Sequence, residues 1–101
     1  MHPLVLIEFN ELSPVLLDRW MRDGHLPNFK KFYDSSLIYI TKPDIAEPAY
    51  LEPWIQWYSL HTGLPYQTHN VFHLTDGPRA EHKDIWSVFL ENGFSVFTAA
   101  A

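Results

Sequence analysis

Apolar positions along the chain fall into two kinds of pattern. Residues 3–9 carry Leu4, Val5, Leu6, Ile7 and Phe9 as a near-continuous run with one acid, Glu8, which predicts a buried strand. A helix follows. Ser13 suits the N-cap, Pro14 the first helical position, and Val15, Leu16, Leu17, Trp20 and Met21 make an apolar stripe. Gly24 fits a left-handed stop. Leu26-Pro27-Asn28 opens a short second helix through Phe29, Phe32 and Tyr33, and residues 36–41 read as a second strand.

Residues 42–53 are punctuated by Pro43, Pro48 and Pro53 and read as a loop. From Pro53 to His61 the pattern is helical again. Trp54, Ile55, Trp57, Tyr58 and Leu60 cover most of the circumference, so burial on several sides is expected. Thr62-Gly63-Leu64-Pro65 ends that helix, and residues 66–79 look irregular. Residues 80–92 form an amphipathic pattern carrying Ile85, Trp86, Val88, Phe89 and Leu90, stopped by Gly93. Residues 94–98 read as a third strand. The order strand, helices, strand, helix, helix, strand predicts a doubly wound α/β fold, with a mostly parallel sheet and helices on both faces.

Composition sharpens this picture in two places. Within 101 residues stand four Trp, seven Phe and five Tyr, an aromatic load that implies a thick core or a surface meant for more protein. An interior-type parallel strand at residues 94–98 would normally lead into another crossover. The expectation is therefore that residues 1–101 are the N-terminal portion of one α/β domain, completed by the rest of that domain beyond residue 101. A complete three-strand mini-domain is the alternative. The net charge of −5 argues against a nucleic-acid backbone as partner. A phosphate or sulfate ester is not excluded, because a bound metal can supply positive charge locally. There is no cysteine, hence no disulfide or thiolate site. The run Leu4–Ile7 is too short for a membrane span, and a cytoplasmic location is the default expectation.

Three stretches together resemble the alkaline-phosphatase-like superfamily, which includes the type I phosphodiesterase/nucleotide pyrophosphatases and the sulfatases. Val5-Leu6-Ile7-Glu8-Phe9-Asn10-Glu11-Leu12-Ser13-Pro14 is similar to that family's first strand, which ends in a metal-binding Asp. Gly24-His25-Leu26-Pro27-Asn28-Phe29 is similar to its turn between the first two helices. Trp57 through His69, containing Ser59-Leu60-His61-Thr62-Gly63 and then Leu64-Pro65, resembles the helix after the nucleophile. Asp84 through Phe89, with Gly93-Phe94, continues the likeness more weakly.

The resemblance implies a metal-dependent hydrolase of phosphate monoesters, diesters or sulfate esters, with a divalent metal, Zn or Mn, at the C-terminal sheet edge. The metal-binding Asp falls on Asn10, a neutral oxygen donor, with Glu11 the nearest compensating acid. Asn10 capping the strand end, with Glu11 solvated, is the alternative reading. The nucleophile position falls at Glu52 or Pro53, and no Ser, Thr or Cys lies between Lys42 and Trp57. Glu52 is thus a candidate metal ligand, a candidate base for attack by water, or simply an acid at a helix N-terminus. Trp54 is a candidate substrate-binding residue, weighed against a core role. Ser59 and Thr62 read as packing or backbone-bonding residues, and His61 as a packed residue at a helix end. The i,i+4 spacing of His69 and His73 invites a metal reading, but the stretch lacks helical signals. Lys30 and Lys31 read as a solvated face. Against the hydrolase stand two other functions: a non-catalytic relative of the same fold, kept for binding or scaffolding, and an unrelated small interaction module.

Overall fold

A computed structural model of the chain describes residues 3–99, in two compact units that meet between Thr41 and Lys42. In the first unit, α1 (Pro14–Arg22) and α2 (Pro27–Asp34) pack on each other. The Leu16 N–H donates to Ser13 Oγ at 3.4 Å, and Pro14 occupies the first position, where the helix has no use for an N–H. Met21, on the apolar stripe, is the buried residue of this unit. Phe29 bridges Phe9 and Phe32, at ring separations of 6.5 and 6.3 Å. Lys30 is paired with Asp34 one turn on, while Arg22–Asp18 and Arg19–Asp23 repeat the i,i+4 pairing on α1.

The second unit holds α3 (Pro53–Thr62), the single turn α4 (Tyr66–His69) and α5 (Ile85–Glu91), with 3₁₀ turns at Pro48–Tyr50 and Leu74–Arg79. Gly63 ends α3 at φ 68°, a left-handed value that suits glycine, and its N–H donates to the Ser59 carbonyl. Pro65 then starts α4 without delay. Ile55 is fully enclosed, and Val71 and His69 are buried. Around them stands an aromatic cluster: Tyr50 meets Tyr66 at 4.8 Å and Phe72 at 5.5 Å, both edge-on. Gln56 Nε2 donates to the Tyr50 carbonyl at 2.7 Å, fixing the proline-rich approach against α3.

The doubly wound parallel sheet is not formed. Among the described residues the chain is helical, with no strand and no ladder. Residues 3–9, 36–41 and 94–98, read as strands from their apolar runs, lack regular secondary structure. They also carry the most exposed apolar side chains, with Ile40 93% exposed, Phe97 92% and Leu37 85%. The physical reason is that β propensity measures the fit of a side chain to a pleated, half-buried surface, and that surface exists only where neighbouring strands provide it. An apolar run states what a segment would bury and leaves open whether a partner is at hand.

Two smaller differences concern the start of α5 and the burial of α3. The pattern predicts a helix over 80–92, whereas α5 begins at Ile85 because Asp84 caps it, its Oδ1 accepting the Ser87 N–H at 2.8 Å. Burial of α3 on several sides is also not observed: Ile55 alone is buried, and Leu60 and Trp54 are exposed. No helix among the described residues is long and apolar enough to cross a membrane.

Candidate functional site

The sequence-predicted positions fall in both units. Asn10 and Glu11 lie in the first, at the turn between residues 3–9 and α1, and both are exposed. Glu11 adopts φ 55°, a left-handed backbone that turns the chain toward Ser13. The pair offers two hard oxygen donors, the donor class that suits divalent cations. A protein-held dication takes three or more ligands. Among the described residues no group of three or more His, Asp or Glu comes together to hold one.

Glu52 and Trp54 lie in the second unit, at the start of α3. Glu52 is the N-cap, with extended backbone, yet its side chain makes no cap hydrogen bond. Instead its carbonyl accepts from Ile55 N–H at 3.0 Å and Gln56 N–H at 3.1 Å. Pro53 has no N–H, so the Trp54 amide is the first-turn donor that the helix itself does not use. The Trp54 indole N–H donates to the Phe72 carbonyl at 2.8 Å. That bond straps the first turn of α3 to the segment after α4, and the ring stays partly in solvent, 37% exposed. An exposed carboxylate thus stands two residues before an aromatic ring whose position is fixed.

The most constrained polar group of this unit is one to which the sequence pattern gave a different weight. His69, the last residue of α4, is buried. Its Nε2 lies 2.8 Å from Ser59 Oγ on α3, and its Nδ1 accepts the Val71 N–H at 3.0 Å. A backbone N–H is always a donor, so Nδ1 is unprotonated and the ring proton sits on Nε2. His69 therefore donates to Ser59. A serine nucleophile needs the opposite arrangement, with the imidazole as acceptor, so the pair is a structural clasp. Tyr58 and Tyr66 meet the ring edge-on at 4.9 and 5.6 Å. Burial pushes the His69 pKa below its ordinary value of 6.5, the Asp44 charge opposes this, and His82 adds to it.

The remaining candidates resolve simply. Thr62 Oγ1 donates to the Tyr58 carbonyl at 2.7 Å, the back-bond expected of a helix threonine. His61 stacks on Trp57 at 5.6 Å and tilts against Trp86 at 5.8 Å, a packed helix-end histidine. His73 is parted from His69 by Asn70, whose φ of 53° ends α4, so the i,i+4 spacing does not place them on one helical face. The signal that could have found His69 is the order Gly63, Pro65, His69. A glycine stop and a proline start compress the chain into two helices joined by a short turn, which brings the second back over the first.

No family model, curated protein or solved structure matches the chain at a significant level.

Proposed function

We propose that the chain carries part of a metal-dependent hydrolase of phosphate or sulfate esters, as the likeness to the alkaline-phosphatase-like superfamily implies. The observation that supports it best is Glu52: an exposed carboxylate at the head of a ten-residue helix, where the family-like pattern calls for the attacking residue, and not consumed as a cap. In this reading the Glu52 carboxylate takes the proton from the water that attacks the ester, and Trp54 offers its held ring to the organic part of the substrate. A Zn or Mn ion, if held, would supply Lewis-acid polarisation of the ester oxygens. For the first unit taken by itself, the resemblance assigns Asn10 and Glu11 as oxygen donors to such an ion. The reading carries a cytoplasmic setting and a small-molecule substrate. The charge of −5 disfavours a nucleic-acid backbone.

A second reading, a non-catalytic relative kept for binding or scaffolding, is favoured by two observations. Asn10 is a neutral donor where an acid is expected, and residues 43–56 contain no Ser, Thr or Cys. One assay separates the two: hydrolysis of aryl phosphate monoesters, diesters and sulfates with added Zn²⁺ or Mn²⁺, with and without chelator. The hydrolase reading expects chelator-sensitive turnover that falls about 10²–10⁴-fold in Glu52→Gln, the usual loss of a general base. Absence of turnover with every ester, together with no retained metal, counts against the hydrolase and favours the second reading.

A further inference from the structure

A histidine whose ring nitrogen accepts a backbone N–H keeps that bond only while the ring is neutral. His69 is such a histidine. Its Nδ1 is occupied by the Val71 N–H at 3.0 Å and its Nε2 faces Ser59 Oγ at 2.8 Å. Val71 is itself buried, and the next residue, Phe72, receives the Trp54 indole N–H on its carbonyl. The ring thus makes two fastenings: Nε2 ties His69 to Ser59 on α3, and Nδ1 closes the turn from His69 to Val71.

We infer that His69 is an acid-sensitive latch: protonation at Nδ1 sets an N–H against the Val71 N–H and opens the turn of residues 69–71, while the Nε2 N–H still donates to Ser59 on α3. The proton comes from water and goes to the Nδ1 lone pair, so the hydrogen bond from Val71 is lost outright and two donors are left facing each other. A cleft of about 230 Å³ lined by His69, Asn70, Val71, Asp76, Arg79 and Ala80 gives water a route to the ring.

The groups around the ring set the direction. On α3, Tyr58 and Ser59 face it, and on α4, Tyr66. Asp44 favours the imidazolium and His82 disfavours it, while Asp76 and Arg79 line the cleft with opposite charges. Burial outweighs Asp44, so the neutral ring is the form the fold selects. The unfolded chain then binds a proton that the folded chain does not. The latch holds fully above the ordinary imidazole value of 6.5. It weakens as pH falls below that value, and the loss levels off once the pH is beneath the folded-state value. The next residue, Phe72, receives the Trp54 indole N–H on its carbonyl, so this turn adjoins the strap to the first turn of α3.

The test is hydrogen exchange of the Val71 amide in the full chain between pH 7 and pH 5, corrected for intrinsic rates, beside nitrogen chemical shifts of the His69 ring. The expected result is an Nε2–H tautomer at pH 7 and a loss of Val71 protection in step with ring protonation. His69→Asn keeps an acceptor oxygen near the place of Nδ1 and cannot be protonated, so its Val71 protection is retained and flat with pH. Should that variant fail to fold, the wild-type titration decides alone. An Nδ1–H tautomer at pH 7, or Val71 protection that persists while the ring titrates, overturns the latch.

Discussion

Ser59 Oγ and His69 Nε2 lie 2.8 Å apart, and the proton between them belongs to the histidine, because Val71 occupies the other ring nitrogen. The same two residue types with the proton reversed make a hydrolytic dyad. Here the backbone hydrogen bond on the far side of the ring settles the tautomer, and with it the role of the pair.

Replacing Ser59 by alanine removes the acceptor for a buried imidazole N–H. The expected cost is about 1–3 kcal/mol of unfolding free energy, the penalty for a buried donor left unpaired. Any ester hydrolysis by the protein is expected to be unaffected by Ser59→Ala. Denaturant unfolding and the aryl ester assay read the two effects separately. A large loss of turnover with unchanged stability would show that the tautomer has been assigned the wrong way round.

Asp44 acts on the same ring from a distance. Its Oδ2 accepts the Tyr66 N–H at 2.6 Å, and its charge raises the His69 pKa. Asp44→Asn keeps an oxygen for Tyr66 and removes the charge. The His69 pKa is then expected to fall further, so that the acid-induced loss of stability extends to lower pH. An imidazole titration by NMR checks the direction, and a rise or no movement refutes it.

The sequence was most legible where local chemistry alone decides the outcome. Ser13 with Pro14 starts α1, Gly63 ends α3 and Gly93 follows α5, and each needs only its own backbone and the next turn. It was least legible where the outcome depends on a distant partner. Residues 4–7 have the composition of a buried strand, yet Leu4, Val5 and Ile7 are among the most exposed apolar residues, because strand formation is a property of a pair. The site shows the same division. The place of Glu52 at the head of a helix is legible, since Pro53 marks the first position. The strap from Trp54 to Phe72 joins residues eighteen apart and leaves no periodic trace. His69 and Ser59 carry no sign of each other in the sequence, because the clasp between them joins two helices.

Tyr58 supplies a contrast to Ser59. Its hydroxyl is buried, and among the described residues no group pairs with it. Its ring meets His69 edge-on, and that contact uses no hydroxyl. Removing a well-bonded tyrosine hydroxyl usually costs about 1 kcal/mol. For Tyr58→Phe the expected change is zero or a gain of up to about 1–3 kcal/mol, the burden of an unbonded buried hydroxyl. A measured loss of stability would mean that the hydroxyl has a partner in solution, and its size would report that bond.

Asp84 tests helix capping and pH linkage at one position. Its Oδ1 accepts the Ser87 N–H at 2.8 Å at the head of α5. That bond holds the carboxyl pKa below its ordinary value of 3.8; burial opposes the shift, while the Ser87 hydroxyl and the His61 charge assist it. A carboxyl depressed in the folded state releases a proton that the unfolded chain still holds near pH 3.8, so its stabilisation is complete above that value. It is lost as the pH falls through the folded-state value. Asp84→Ala is expected to cost about 0.5–2 kcal/mol at neutral pH, the usual range for a lost N-cap. Asp84→Asn keeps the acceptor and is expected to cost less, with a flatter stability profile below pH 4, since the group no longer titrates. Urea unfolding of the three proteins at pH 7 and pH 3 measures both effects. Equal acid sensitivity in the wild type and Asp84→Asn would assign the acid loss to other carboxyls, Asp76 first, whose oxygen accepts the Phe72 and His73 N–H groups and whose pKa is lowered for that reason.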